Sequence, residues 1–329
     1  MEIIKPSLTG SSLILNICHI IYMKTKAANI VKIDLPAKGA FTIPTDPDFI
    51  KLHTLMVING KRGGGKTLAL CNFLKEAKSK NYYDRIFVIT PTYNSNKETW
   101  DLAGISLDDT IEPSKTSIKE VLEKCEDEKR EWDEFLGKKE LYKKFKNDIR
   151  NRDYRFLDGD DVAFYDQLGF LDEGKPKWKY PKEQPPRLGI VLDDCLNTDV
   201  MASRNSGLTN LCIRHRHILD GLGVSVFMLV QSYCAIGGVP RTIRENTTHL
   251  LLFKINDEKQ IQKIKEESDL EVTDEEFQNM LHHCHSEDFQ FMMIDFSAKC
   301  PTKKYRKGFN EYIIPPSLEG KCKCRGKAP

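Results

Sequence analysis

The sequence predicts an α/β protein with a mainly parallel central sheet flanked by helices. An apolar strand at 53–59 leads directly into a glycine-rich loop and then a helix with apolar residues on one face. Further apolar runs follow at 85–90, 188–192, 224–230, 249–253 and 289–294. Unbroken runs of this kind, rather than alternating patterns, are typical of parallel strands covered on both faces. Because helical stretches separate them, the pattern is a repeated β-α unit.

The composition is that of a soluble globular protein. Of the 329 residues, 40% are hydrophobic and 30% are charged, enough for one large core or two modest ones. The formal net charge is only +2, so contact with DNA would need a local basic patch or a ring of subunits. The ten cysteines lack disulfide-scaffold spacing, which favours reduced thiols inside a cell.

We expect an N-terminal extension at 1–50, a core at 51–315 with an insertion at about 95–185, and a basic, cysteine-containing tail at 316–329. The apolar stretch 13–23 is too short to span a bilayer and contains Asn16 and His19. It has only Lys5 before it and no small-residue cleavage site, so neither a membrane anchor nor a signal peptide is predicted. Whether Met1 or Met23 is the natural start stays open.

The insertion is predicted to be helical and exposed. Residues 119–153 are dense in charge and carry apolar side chains at helix-like intervals. We expect a helical hairpin that bends at Gly137, and a proline-containing loop that ends the insertion. A solvated helix face without a function is the simplest interpretation of these charges.

The loop after the first strand is predicted to bind the phosphates of ATP. Residues 60–67 match the spacing G-x-x-x-x-G-K-[ST] between a strand and a helix. Glycines allow consecutive N–H groups to face phosphate oxygens, at the positive end of the following helix. Lys66 would contact the β/γ-phosphates and Thr67 would ligate Mg²⁺. The predicted nucleotide-binding residues are Gly60, Lys61, Arg62, Gly63, Gly64, Gly65, Lys66, Thr67 and Leu68.

Two later strands are predicted to complete this site. The strand 188–192 ends in Asp193 and Asp194, at the edge where open α/β sheets bind ligands. Asp193 fits the Walker-B role of holding Mg²⁺ opposite Thr67, and Asp194 is placed to deprotonate the attacking water. The strand 224–230 ends in Gln231, a candidate sensor of the γ-phosphate.

Other polar clusters carry weaker signals. The run His282-His283-Cys284-His285 and the pair Cys322 and Cys324 follow no spacing typical of structural zinc sites. Zinc binding by these residues stays open but is not expected. Cys195, next to the acidic pair, is expected to be a small buried residue rather than a nucleophile.

The segment at 208–255 resembles the FtsK/HerA family of ring-shaped DNA translocases. The similar stretches are 208–216, with a helix and Arg214, 221–232, with the strand that ends in Gln231, and 240–246, with Arg-x-Asn at 244–246. The chain is most similar to genome-packaging ATPases of large DNA viruses, virophages and related transposons. The Pro-Thr-Tyr at 91–93 and the pair Asp193-Asp194 also resemble this branch, whereas bacterial translocases usually have Glu at position 194. The resemblance covers about 50–300.

This resemblance implies a RecA-like (ASCE-type) P-loop NTPase, in which an extra strand separates the phosphate-loop and Walker-B strands. It implies a homo-oligomeric ring, hexamer or pentamer, with ATP at the interfaces and an arginine supplied by the neighbouring subunit. Arg214 is the first candidate for that arginine, and Arg216 and Arg244 are the next. From the residues alone, Arg214 could equally belong to a basic helix face that binds DNA phosphates or to one that is merely solvated.

The function implied is packaging of a viral or viral-like genome, with ATP, Mg²⁺, double-stranded DNA and a capsid protein as partners. The expected location is the interior of an infected cell, in the cytoplasm or a virus factory, with retention in the virion as an option. Three alternatives remain: another P-loop DNA motor such as a helicase or conjugation-type coupling ATPase, a nucleotide-gated assembly protein with timer-like hydrolysis, and a small-molecule kinase.

Overall fold

The computed structural model describes residues 48–151, 158–195, 198–201, 206–234, 238–268 and 270–321. Within these ranges nine strands form one sheet. The strands are β1 (Leu55–Asn59), β2 (Arg85–Ile89), β3 (Thr110–Ile111), β4 (Leu188–Leu192), β5 (Val224–Val230), β6 (His249–Phe253), β7 (Phe291–Asp295), β8 (Tyr305–Lys307) and β9 (Glu311–Ile313).

Eight α-helices accompany the sheet in the same ranges. They are α1 (Lys66–Ser79), α2 (Lys97–Leu102), α3 (Ser117–Asn151), α4 (Gly159–Gln167), α5 (Ser206–Arg214), α6 (Arg241–Asn246), α7 (Glu258–Glu267) and α8 (Asp274–Cys284). The predicted apolar 13–23 segment and the cysteines of the tail lie outside the described residues.

The sheet order is β3-β2-β4-β5-β1-β6-β7-β8-β9, and the pairs from β3 to β6 are parallel. The strand β5 lies between β4 and β1, pairing Leu192 with Met228 on one side and Leu55 with Val226 on the other. The α/β class is therefore confirmed, including the extra strand between the phosphate-loop strand and the strand of the acidic pair. The pairs from β6 to β9 are antiparallel.

Both faces of the sheet are covered, as the continuous apolar strands predict. One face packs with α3, α5, α7 and α8, and the other packs mainly with α1 and α2. Alternate residues of a strand point to opposite faces, so Met56 and Ile58 join one core while Leu55 and Val57 join the other. All five residues of β1, β4 and β6 are buried. This double coverage fixes the strand ends that carry the candidate site.

The predicted bend at Gly137 is wrong. Helix α3, which is 35 residues long, continues through this glycine without a break. A single glycine costs a helix only about 0.5–1 kcal/mol, and neighbouring aromatic contacts restrain this part of α3. Trp132 and Phe135 pack against Trp178 of the loop that ends the insertion, with ring centroids 4.9 and 5.3 Å away.

The insertion is attached to the sheet by a buried carboxylate. Glu128 of α3 is 1% exposed and accepts hydrogen bonds from Arg85 of β2, at 2.7 Å, and from Lys179 and Tyr180, each at 2.8 Å. This face of α3 is therefore not simply solvated. Near the other end of the chain, Leu318 is fully buried in the core. None of the described helices is both long enough and apolar enough to cross a bilayer.

Candidate nucleotide-binding site

The loop between β1 and α1 depends on its glycines for its shape. Gly63 and Gly65 have φ angles of 73° and 87°, in the left-handed region that favours glycine. Gly60 donates its N–H to Val230 O at 3.1 Å, and a Cβ on Gly60 would lie 2.6 Å from Phe253 Cβ. The loop is thus held against β5 and β6, and its glycines permit turns and approaches that other residues do not.

Lys66, the first residue of α1, points back over the loop. Its Nζ donates to the carbonyl oxygens of Gly60 and Lys61, at 2.8 and 2.9 Å. Partial burial lowers the pKa of Lys66, and the negative charges of Asp193 and Asp194 oppose that shift. The ammonium group of Lys66 therefore lies at the mouth of the loop. When a phosphate binds there, its anionic oxygens would replace the two carbonyl oxygens as hydrogen-bond acceptors of Lys66.

Thr67 and Asp193 face each other across the sheet edge. Thr67 Oγ1 donates to Asp193 Oδ2 at 3.2 Å, and Asp193 is 4% exposed. Burial raises the pKa of Asp193 to about 6, and the negative charge of Asp194 adds to this, while the Thr67 hydrogen bond opposes it. A buried carboxylate beside a hydroxyl suits Mg²⁺, because this ion prefers oxygen ligands and binds ionised carboxylates. These two residues would hold the ion.

Asp194 and Gln231 lie beside this pair. Gln231 Nε2 donates to Asp194 Oδ1 at 3.1 Å, because β4 and β5 are neighbours and both side chains follow their strand ends. Asp194 has a φ of 53°, a left-handed conformation that aspartate tolerates better than most residues, and its side chain is exposed to the cleft. An exposed carboxylate with an amide partner is suited to accept a proton from water.

These residues share one cleft of about 430 Å³ at the carboxyl ends of β1, β4 and β5. The sequence did not predict a further set of polar lining residues, which come from the segment after β2. They are Thr92, Ser95, Asn96 and Thr99. The sequence showed only that they follow an apolar strand; that this strand lies next to β4 is seen in the sheet order. Of the predicted binding residues, those from Arg62 to Leu68 line the cleft.

Arg214 lies at the opposite end of the sheet. It ends α5 and is exposed, and the adjacent His215 O accepts from Val224 N, at the start of β5, at 2.8 Å. Gln231 follows the other end of β5, seven residues long, so about 20 Å separates the two ends at about 3.3 Å per residue. Arg214 therefore cannot serve the cleft of its own chain.

The two other candidate arginines differ in their surroundings. Arg216 is exposed, close to Arg214. The Arg244 guanidinium donates from Nε and Nη2 to Glu267, at 2.7 and 2.8 Å, and lies over the ring of Tyr233. A role in a neighbouring subunit would require Arg244 to give up this two-point ion pair, so it is the less available of the two.

No protein-family model and no curated protein matches the chain. Its similar solved structures include the genome packaging NTPase B204 from Sulfolobus turreted icosahedral virus 2. The sulfate complex is 10% identical with a TM-score of 0.41, covering 80% of this chain and 98% of that one. The ATP-γS complex is 10% identical with a TM-score of 0.38, covering 78% and 96%.

A second similar structure is the pCW3 conjugation coupling protein TcpA, solved as a monomer with ATP-γS. It is 12% identical with a TM-score of 0.39, and the match covers 76% of this chain and 59% of TcpA. These likenesses lie below the level at which function is transferred. The function proposed for this chain therefore depends on its own residues.

Proposed function

We propose that this chain is an ATPase that translocates double-stranded DNA and packages a viral or viral-like genome into a capsid. The observation that best supports ATP hydrolysis is the position of β5 between β1 and β4. That position brings Gln231 to within 3.1 Å of Asp194, beside the Thr67–Asp193 pair and the glycine-rich loop. A site that only binds phosphate has no need of the Gln231–Asp194 pair, which is placed to act on a water molecule.

The residues divide the work of hydrolysis between them. The loop N–H groups and Lys66 bind and neutralise the phosphates, and Mg²⁺ held by Thr67 and Asp193 would add positive charge there. Asp194 accepts the proton of the attacking water. Gln231 fixes Asp194 through the hydrogen bond to Oδ1, which leaves Oδ2 for that proton.

The motor is proposed to be a ring because the family resemblance implies an arginine supplied to the site by a neighbouring subunit. Phosphoryl transfer develops charge that an arginine stabilises. Arg62 of the loop lines the described cleft, whereas Arg214, Arg216 and Arg244 do not. Arg214, exposed at the opposite end of the sheet, is proposed to enter the cleft of the next subunit. Ring closure would then couple each hydrolysis to its neighbour.

The DNA and capsid partners rest on the sequence resemblance at 208–255. We propose that pore-lining loops contact phosphates without reading bases, since a packaging motor must accept any sequence. A location inside an infected cell belongs to the same proposal.

Duplex DNA is expected to stimulate ATP hydrolysis regardless of base sequence, and the stimulation is expected to weaken as salt rises. Phosphate contacts release counterions, so their strength falls with salt concentration. Steady-state hydrolysis measured with two unrelated duplexes, from low to moderate salt, tests this. Hydrolysis that ignores duplex DNA at every salt concentration would favour the nucleotide-gated assembly protein instead.

A further inference from the structure

A second cavity lies beside the cleft and is lined by an aromatic residue with an unusual backbone conformation. Phe289, in the turn between α8 and β7, is 68% exposed and has a φ of 63°. A left-handed conformation is an outlier for a bulky residue and calls for a reason. The ring lies against the phosphate loop, since a Cβ on Gly65 would be 3.1 Å from Phe289 Cδ1.

The cavity adjoins the cleft. It has a volume of about 500 Å³, and Gly65 and Leu68 line both spaces. Leu68, in the first turn of α1, is 48% exposed, so it and Phe289 present two apolar surfaces to the same cavity. The amide side chains of Asn72, Gln290 and Asn310 line it as well, and so do the charged residues Glu287, Lys307 and Glu311. Apolar surfaces combined with placed polar groups are typical of small-molecule sites.

The sheet order fixes which end of a nucleotide faces this cavity. Asp194 and Gln231 follow β4 and β5, on one side of β1, and they mark the γ-phosphate end. Phe289 lies two residues before β7, on the other side of β1 beyond β6. A nucleotide whose γ-phosphate lies by Asp194 must extend its base in the opposite direction, towards Phe289.

We propose that this cavity is the base subsite of the nucleotide and that Phe289 stacks on the base. This inference rests on the proposed nucleotide binding and specifies where the base lies. An aromatic face stacks on any base, so Phe289 would supply affinity, whereas the amides around it would distinguish one base from another.

The test compares ATP with inorganic tripolyphosphate, which has the phosphates but no base. Phe289→Ala is expected to weaken ATP binding about 5- to 150-fold, the range for loss of one base–aromatic stack, and to leave tripolyphosphate binding unchanged. The matched control is Phe164→Ala, which removes another exposed phenylalanine, on α4, and should change neither. Calorimetry with Mg²⁺ present measures the six affinities, those of the wild type and the two variants for each ligand.

The outcomes separate the base subsite from the phosphate site. Unchanged ATP binding by Phe289→Ala, or an equal loss for both ligands, would overturn the base subsite. Wild-type protein that binds neither ligand would overturn the proposed nucleotide binding as well. Phe289→Trp supplies a second readout: ATP should quench the indole fluorescence and tripolyphosphate should not, and equal responses to the two would contradict stacking.

Discussion

Lys66→Ala is expected to lower ATP hydrolysis below about 1% of the wild-type rate, since one lost electrostatic contact in an enzyme site costs about 10²–10³ in rate. Lys66 is the only lysine that lines the described cleft. The fold should persist because other contacts shape the loop, including Gly64 N to Lys61 O at 3.2 Å and Gly60 N to Val230 O. Phosphate release and circular dichroism measure the two effects.

Two variants serve as controls for this prediction. Lys75→Ala removes an exposed lysine from the same helix and should hydrolyse ATP normally. Asp194→Asn should bind ATP with Mg²⁺ but turn it over slowly, because Asp193 is retained while the proposed base is neutralised. Near-normal turnover by Lys66→Ala would contradict the proposed loop chemistry, and near-normal turnover by Asp194→Asn would assign the base role to another residue.

Arg214→Ala is expected to bind ATP and to assemble, but to hydrolyse ATP about 10³- to 10⁵-fold more slowly. This is the range for loss of an arginine that stabilises transition-state charge. The loss should appear even without DNA. Its exposed position, a strand length from its own cleft, means that any such effect must come from a neighbouring subunit. Arg130→Ala, an exposed arginine of α3, is the matched control and should have no effect.

Mixing two inactive variants tests the exchange of residues between subunits. In a ring of Lys66→Ala and Arg214→Ala subunits, some interfaces pair an intact Lys66 cleft with an intact Arg214. Those interfaces should restore part of the activity. If rings shown to be mixed stay inactive, Arg214 does not act in the neighbouring site, and Arg216 and then Arg244 would be tested in the same way.

The central part of the fold was predicted closely from the sequence, because strands buried on both faces appear as continuous apolar runs. The runs at 188–192, 224–230 and 249–253 have the bounds of β4, β5 and β6. Short edge strands have too few residues to form a recognisable apolar pattern: β3 has two residues, and β8 and β9 have three each. Gly137 misled because helix continuity there depends on contacts between distant aromatic residues, which local propensity does not contain.

The site divides in the same way. The spacing within 60–67 and the strand ends at 193 and 231 carry local patterns, so they were predictable. Thr92 and Asn96 line the cleft only because β2 happens to lie next to β4, and sheet order is a tertiary property. Phe289 is an ordinary residue in sequence, and its position against Gly65 depends on two segments more than 200 residues apart.

The most direct test of the proposed motor is displacement of a third strand from a duplex. A translocating protein removes a triplex-forming oligonucleotide as it moves along the DNA, whereas a protein that only binds DNA or only hydrolyses ATP leaves it in place. We expect ATP-dependent displacement by the wild-type protein and none by Asp194→Asn. Active hydrolysis with the third strand still bound, in conditions where the protein is shown to bind the duplex, would contradict translocation.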